Sequence, residues 1–323
     1  MTWGEYYAVD SDLMVATVSP TALTGTYSLM HNASSQYSGA HAYLDFANNE
    51  IGFYKVVESG TPTAKLASKS FTFEANKEYE IQHTVIGGHE LTMTVTEKAS
   101  KTSVTVQYLG DDNAAYFSRS LGVHTSVYDE NNVTVISEKL YSLQPYDTQA
   151  LIMGDSFVAG FYRTRYGTLI KNEIGGSAFI SGVSGGETKD ITAMLQYLPE
   201  LCQPRYVILA IGTNQNGFTR WNNEMEKDIL ATIKTAWPDA EIILGTITYR
   251  TNANSTSYNT GHVPLVNEWI RNSGYKYVDI NAVTCEDGQH KSGMFQSDGV
   301  HLTPAANIEV YNEFKSVVPE LFE

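Results

Sequence analysis

The chain has 323 residues, of which 42% are hydrophobic and 18% charged, a balance that suits a well-packed globular protein and a length that suits two domains of ordinary size. Its formal net charge of −15, from 36 acidic and 21 basic residues, argues against nucleic acid as a partner, because a phosphate backbone is neutralised by Lys and Arg. No apolar run approaches the ~20 residues of a membrane span, and the start MTWGEYYAVD has no basic stretch followed by an apolar one, so neither a membrane span nor a signal peptide is expected in this sequence.

Residues 1 to about 147 alternate with period two between turn residues. In "HELTMTVTEKASKTSVTVQY", Leu91, Met93 and Val95 face one way, a polar turn follows, and Val104, Val106 and Tyr108 resume the alternation, which is the pattern of a β-hairpin. Further strands are expected at 41–46, 51–57, 70–74, 78–86, 116–127 and 133–143, with no convincing helix between them. An antiparallel β-sandwich over 1–147 is the reading that follows. The 21 tyrosines, with abundant Asn and Ser, suit a surface that stacks against polar ligands such as sugars, although tyrosine-rich β domains share that composition.

Pro145 and the polar "YDTQ" mark a junction, after which short continuous apolar runs alternate with helical patterns. Strands are expected at Ala150–Met153, Ala178–Val183, Tyr206–Ile211, Glu241–Thr246 and Tyr277–Ile280. Helical spacing links Met225, Ile229 and Ile233, and again Val263, Val266, Trp269 and Ile270. This βαβα succession predicts a second domain over 148–323, an α/β fold whose parallel sheet is covered by helices on both faces. The two cysteines, Cys202 and Cys285, show no metal-ligand spacing and are expected to be buried thiols, without a disulfide framework or a zinc site.

In a doubly wound sheet, ligands bind at the carboxyl ends of the strands. Four clusters fall at or near such ends: "GDSF", "GVSGGET", "GTNQN" and, before the last helix, "SDGVHLTP". Ser156 follows the first strand and precedes a helical pattern (Phe161, Tyr162, Tyr166, Leu169), so its hydroxyl is expected near a helix N-terminus, where developing negative charge is favoured; a plain N-cap serine is the competing reading. Asp298 and His301 tip the balance. A serine needs a base, an imidazole works as one when a partner fixes its tautomer, and Asp298 lies three residues away on a Gly-containing loop. Thr303 and Pro304 fit an N-cap and first helical residue, anchoring that loop to a helix carrying Ile308, Tyr311 and Phe314. The other histidines (31, 41, 83, 89, 124, 262 and 290) are expected at the surface. Donors for an oxyanion are available from the Ser156 and Gly185 N–H groups and the Asn214 amide, although glycines and asparagines also make ordinary turns.

With these four blocks the chain resembles the SGNH hydrolases, the GDSL-type esterases. The serine, glycine, asparagine and histidine of the family name correspond to Ser156, Gly185, Asn214 and His301, with Asp298 three before the histidine. Phe157 stands where the family usually has leucine, and Gln215 where it often has aspartate. Aligning on "GVSG" selects Gly185 and aligning on the Gly-acid-Thr ending selects Gly186; Gly185 is preferred. The resemblance covers roughly 148–323 and implies a three-layer flavodoxin-like fold and ester hydrolysis without cofactor or metal. Ser156 would be the nucleophile, His301 the base, Asp298 its orienting partner, and Ser156, Gly185 and Asn214 the oxyanion donors. The β domain weakly resembles jelly-roll, concanavalin-like modules, which suggests glycan binding by residues 1–147 and an acetylated carbohydrate as substrate. A lipid esterase, or a glycan-binding protein with a vestigial hydrolase domain, is the alternative.

Overall fold

The computed structural model describes residues 2–5, 11–33, 39–56, 62–86, 90–109, 123–128, 131–143, 145–158, 164–183, 185–215, 217–251 and 255–323. The chain divides into two compact units, Met1–Gln144 and Pro145–Glu323.

The first unit is antiparallel β throughout. Its strands are β1 (Thr2–Glu5), β2 (Ser11–Pro20), β3 (Thr26–Ala33), β4 (Gly39–Asp45), β5 (Glu50–Val56), β6 (Pro62–Ser70), β7 (Tyr79–Ile86), β8 (Glu90–Glu97), β9 (Ser103–Leu109), β10 (Val123–Tyr128) and β11 (Val133–Ser142). They form one sheet in the order β1-β10-β3-β4-β5-β6 and another in the order β11-β2-β7-β8-β9. Alternate residues of both sheets, among them Val18, Leu29, Leu44, Phe53, Ile81 and Met93, share one buried core, as expected when each strand turns every second side chain inward. The expected strand at 70–74 is displaced: the ladder runs over Pro62–Ser70 and ends there. Phe71 and Phe73 still point into the core, but the N–H of Phe71 donates to the Asn49 carbonyl at 2.8 Å and that of Phe73 to Asn49 Oδ1 at 2.8 Å, so the alternation outlasts the ladder. Strands β2 and β3 go beyond the sequence expectation, since the small and polar Ala16, Thr17 and Ser19 blur the period in β2. Most of the stretch expected at 116–127 lies outside the described residues.

The second unit holds five parallel strands, β12 (Asp147–Gly154), β13 (Ala178–Gly182), β14 (Gln203–Ala210), β15 (Glu241–Gly245) and β16 (Lys276–Val278). Their order is β13-β12-β14-β15-β16. From β12 the chain first adds a strand on one side and then crosses to the other. With right-handed crossovers this places helices on opposite faces, giving a three-layer, doubly wound α/β fold. The helices are α1 (Tyr166–Glu173), α2 (Thr188–Met194), α3 (Leu198–Leu201), α4 (Phe218–Glu224), α5 (Ala231–Ala236), α6 (Ser255–Ser257), α7 (Val263–Asn272), α8 (Ile280–Thr284) and α9 (Pro304–Val317). A π-helical stretch, Met225–Leu230, joins α4 to α5 and buries Met225 and Ile229. The central strands are apolar without alternation, as in Leu151-Ile152-Met153 and Val207-Ile208-Leu209, because both faces are covered. On α9 the buried face is Ala306, Val310 and Phe314, an i, i+4 stripe, whereas Ile308, expected among the packing residues, is 49% exposed.

The chain reverses direction across the sheet between β12 and β14, where a doubly wound fold opens a crevice at the strand ends. Gly154, the last residue of β12, allows the close approach there: a Cβ on it would sit 2.3 Å from the Ala210 carbonyl oxygen and 2.7 Å from Val158 Cγ2. No described helix is long and apolar enough to cross a membrane.

Candidate active site

Ser156 lies in the turn that leaves β12. The Asp155 side chain folds back over this turn, Oδ1 accepting the Phe157 N–H at 3.0 Å, and the Val158 N–H closes it on the Asp155 carbonyl at 3.0 Å. The helix expected to begin near Phe161 begins, among the described residues, at Tyr166 with Arg165 as its N-cap. Ser156 does not cap it; its hydroxyl, on a residue only 4% exposed, lies 2.8 Å from His301 Nε2. His301 Nδ1 is 2.6 Å from Asp298 Oδ2. The carboxylate fixes the tautomer, since Nδ1 must carry the proton it donates to Asp298, which leaves Nε2 as acceptor toward Ser156.

The loop that delivers this pair is internally braced. Asp298 Oδ1 accepts the N–H groups of Val300 (2.9 Å) and His301 (3.0 Å). The Gln296 N–H donates to the His301 carbonyl at 2.8 Å, and Gly299 turns the chain at φ +66°. Thr303 caps α9, its Oγ1 accepting the Ala306 N–H at 3.2 Å, and Pro304 begins the helix. Burial pushes the Asp298 carboxyl up, but the His301 ring and the two backbone N–H groups outweigh it and hold the group below the usual aspartate value. It is a carboxylate at neutral pH.

Two further loops flank the serine. After β13, Gly185 has φ +78°, and its N–H, like that of Ser156, makes no hydrogen bond to a described residue. The Gly186 N–H is engaged with the Val183 carbonyl at 2.9 Å, and a Cβ on Gly186 would meet that same oxygen at 2.9 Å. After β14, Asn214 Nδ2 donates to the Gly186 carbonyl at 3.2 Å, tying the two loops together. Thus Ser156, Gly185, Asn214, Asp298 and His301 belong to loops at one edge of the sheet, with Ser156, His301 and Asp298 in a continuous hydrogen-bonded chain.

The sequence reading missed the supports beneath these residues. His262, expected at the surface, is 2% exposed, and His83 is fully buried in the first unit. Burial pushes the His262 pKa down, only partly offset by its contact with Gly212, so the ring is neutral and its Nε2–H donates to the Gly212 carbonyl at 3.0 Å. Trp221 Nε1 donates to the adjacent Ile211 carbonyl at 3.0 Å. Together they fix the backbone that leads to Asn214. Neither side chain announces its partner in the local sequence, because both accepting carbonyls belong to the loop after β14.

Asp155 closes a small cavity with Phe157, Tyr166, Thr213, Thr246 and Thr248. Its Oδ2, Tyr166 Oη and Thr248 Oγ1 are buried with no hydrogen-bond partner among the described residues. Burial pushes the Asp155 carboxyl up to about 6, against the downward pull of the Phe157 and Thr213 groups and the Arg165 charge. The folded chain therefore holds a proton that the unfolded chain releases near 3.8, and the contribution of this group to stability falls as pH rises through that window. Replacing Asp155 by Asn is expected to raise the melting temperature at pH 8 and to leave it close to wild type at pH 4. Equal shifts at both pH values would contradict the buried charge. Among the described residues no three His, Cys, Asp or Glu side chains group as metal ligands.

Residues 152–307 match the GDSL-like Lipase/Acylhydrolase family. Similar solved structures include a member of the lipolytic G-D-S-L family from Veillonella parvula, with 15% identity over 54% of this chain and 99% of that chain and a TM-score of 0.43. A GDSL-like lipase from Bacteroides thetaiotaomicron has 12% identity over 54% of this chain and 86% of that one, with a TM-score of 0.42. A catalytic mutant of an acetylxylan esterase from Geobacillus stearothermophilus has 15% identity over 54% and 94%, with a TM-score of 0.42. No curated relative matches the sequence. A matched span that runs from inside β12 into α9, and so includes every loop described above, makes residues 152–307 a GDSL-like lipase/acylhydrolase domain and the protein an SGNH-type ester hydrolase.

Proposed function

We propose that the protein removes short acyl groups, acetyl above all, from carbohydrate esters, with Ser156 as nucleophile. The observation that carries the hydrolytic part is the unbroken contact from Ser156 Oγ through His301 to Asp298, at 2.8 and 2.6 Å. Ser156 Oγ attacks the ester carbonyl while its proton passes to His301 Nε2. The tetrahedral intermediate collapses, the alkoxide of the sugar takes that proton, and an acyl-serine remains. Water then attacks with His301 again as base, releasing the carboxylic acid and restoring the serine. Asp298 holds the ring and balances the transient imidazolium.

The oxyanion is assigned to the N–H groups of Ser156 and Gly185 and to Asn214 Nδ2. Gly185 is preferred to Gly186 because the Gly186 N–H is already engaged with Val183, and a donor must be free when charge develops. Asn214 donates one amide proton to the Gly186 carbonyl, which leaves its second for substrate. Asn214→Ala is expected to lower kcat by ~10²-fold or more with little change in KM, since the contact strengthens only as the oxyanion forms. An unchanged kcat would remove Asn214 from the assignment.

The sugar preference rests on the segment Thr248–Pro264. It is rich in hydroxyl and amide side chains, and it abuts the histidine loop through the Thr251 N–H donating to the Gly299 carbonyl at 2.9 Å. Within it the described Thr251, Thr256, Ser257 and Thr260 are exposed, and exposed hydroxyls suit a polyhydroxylated leaving group better than a long acyl chain. Glycan binding by residues 1–147 belongs to the same proposal. Acetate release from acetylated xylan, mannan and sialic acid, set against hydrolysis of long-chain acyl esters, tests it: cleavage of the long-chain esters alone would refute the carbohydrate assignment.

A further inference from the structure

Gln215 stands where related enzymes often carry aspartate, and its surroundings differ from what a carboxylate would need. Its side chain is fully buried. Oε1 accepts the Thr188 N–H at 3.2 Å and lies 2.5 Å from Thr188 Oγ1, while Nε2 donates to Glu224 Oε2 at 3.3 Å. The Thr188 hydroxyl also contacts Glu224 Oε2, so its one proton serves two acceptors. The other Glu224 oxygen accepts from Arg220 Nε at 2.9 Å, and Arg220 reaches Glu187 at 3.2 Å. Thr188 begins α2, two residues beyond Gly186, and Gln215 follows Asn214 directly.

We propose that Gln215 and Glu224 are positioning residues that hold the Gly185 loop and Asn214 in register, so that both oxyanion donors converge on one point. The proposal rests on the reading of Gly185 and Asn214 as donors given above. An amide at 215 supplies an acceptor to Thr188 and, unlike aspartate, a donor that needs its own acceptor. Glu224 provides it from α4. Burial pushes the Glu224 carboxyl up, but the Thr188 hydroxyl and the Arg220 guanidinium outweigh it and keep the group below the usual glutamate value, so it remains an anion at neutral pH. Three elements, the loop after β13, the loop after β14 and helix α4, thereby close into one hydrogen-bonded ring that includes the direct Asn214–Gly186 contact.

The test uses the full chain and p-nitrophenyl acetate, with kcat and KM measured for Gln215→Glu, Glu224→Gln and the double variant, each with Asn214 intact and with Asn214→Ala. Gln215→Glu sets two carboxylates against each other and is expected to lower kcat ~10-fold or more at nearly constant KM, whereas the double variant restores the complementary pairing and recovers to within ~3-fold of wild type. In the Asn214→Ala background the single changes are expected to lose the part of their effect that passes through Asn214 and to keep the part that passes through the Gly185 loop, so the losses fall short of full multiplication. Full multiplication of the losses, a double variant no better than Gln215→Glu, or kcat within twofold for both single variants would overturn the positioning role. Should Gln215→Glu fail to fold, the isosteric Glu224→Gln and the double variant carry the same comparison. Ser156→Ala in the same assay separates the two levels: if it retains activity the hydrolytic assignment itself falls, and if it is inactive those outcomes count against the positioning role alone.

Discussion

Ser156→Ala is expected to lower kcat for p-nitrophenyl acetate by ~10⁴-fold or more while leaving the melting temperature close to wild type. The loss is large because the acyl-enzyme cannot form, and the residual rate is what oxyanion stabilisation and binding give an attacking water. The fold should tolerate the change. The hydroxyl is bonded to His301 on a 29%-exposed side chain, so the ring can turn to water once the serine oxygen is removed, and no buried polar partner is stranded. Mass spectrometry adds a second readout: a fluorophosphonate should label the wild-type chain once, on the peptide containing residue 156, and leave the variant unlabelled. Comparable turnover in the variant would eliminate the proposed chemistry.

Asp298→Asn is expected to cost ~10³-fold in kcat, less than loss of the nucleophile, with KM little changed. The geometry gives the reason. Asp298 accepts on both oxygens, from His301 Nδ1 on one and from the Val300 and His301 N–H groups on the other. Asparagine can keep the backbone contacts with its oxygen, but must then present an N–H₂ group to Nδ1. The ring responds by placing its proton on Nε2, where it points at Ser156 and can no longer accept. The carboxylate side chain is 45% exposed, so the substitution leaves no buried void and should not unfold the protein. Activity of Asp298→Asn within tenfold of wild type would mean that the carboxylate is dispensable for orienting the ring.

Much of the second unit was legible because its signals are local. Continuous runs such as Leu151–Met153 and Val207–Leu209 name strands buried on both faces, and each is followed within three residues by a glycine-containing turn bearing a polar side chain. The Thr303-Pro304 pair likewise carries its own capping chemistry. What escaped depends on partners distant in sequence. Nothing near Phe71 and Phe73 announces that Asn49 will capture their N–H groups. Glu224 looks like any charged residue on a helix, and its contact with Gln215 arises only when α4 packs beside the loop after β14. His262 gave no sign of burial, because a histidine beside a polar loop reads as exposed until its carbonyl partner at Gly212 is known.

The tight contact at Gly154 reaches into the way inhibitors should engage this enzyme. With the Ala210 oxygen occupying the space where a side chain would begin, the ends of β12 and β14 have no slack to take up, and the turns that follow inherit a fixed separation. A trigonal boronic acid entering such a cleft meets an assembled mould for its tetrahedral adduct. Little ordering entropy is then lost on capture, and free and inhibited crystals should superimpose at residues 154–156 and 210–214 within ordinary coordinate scatter.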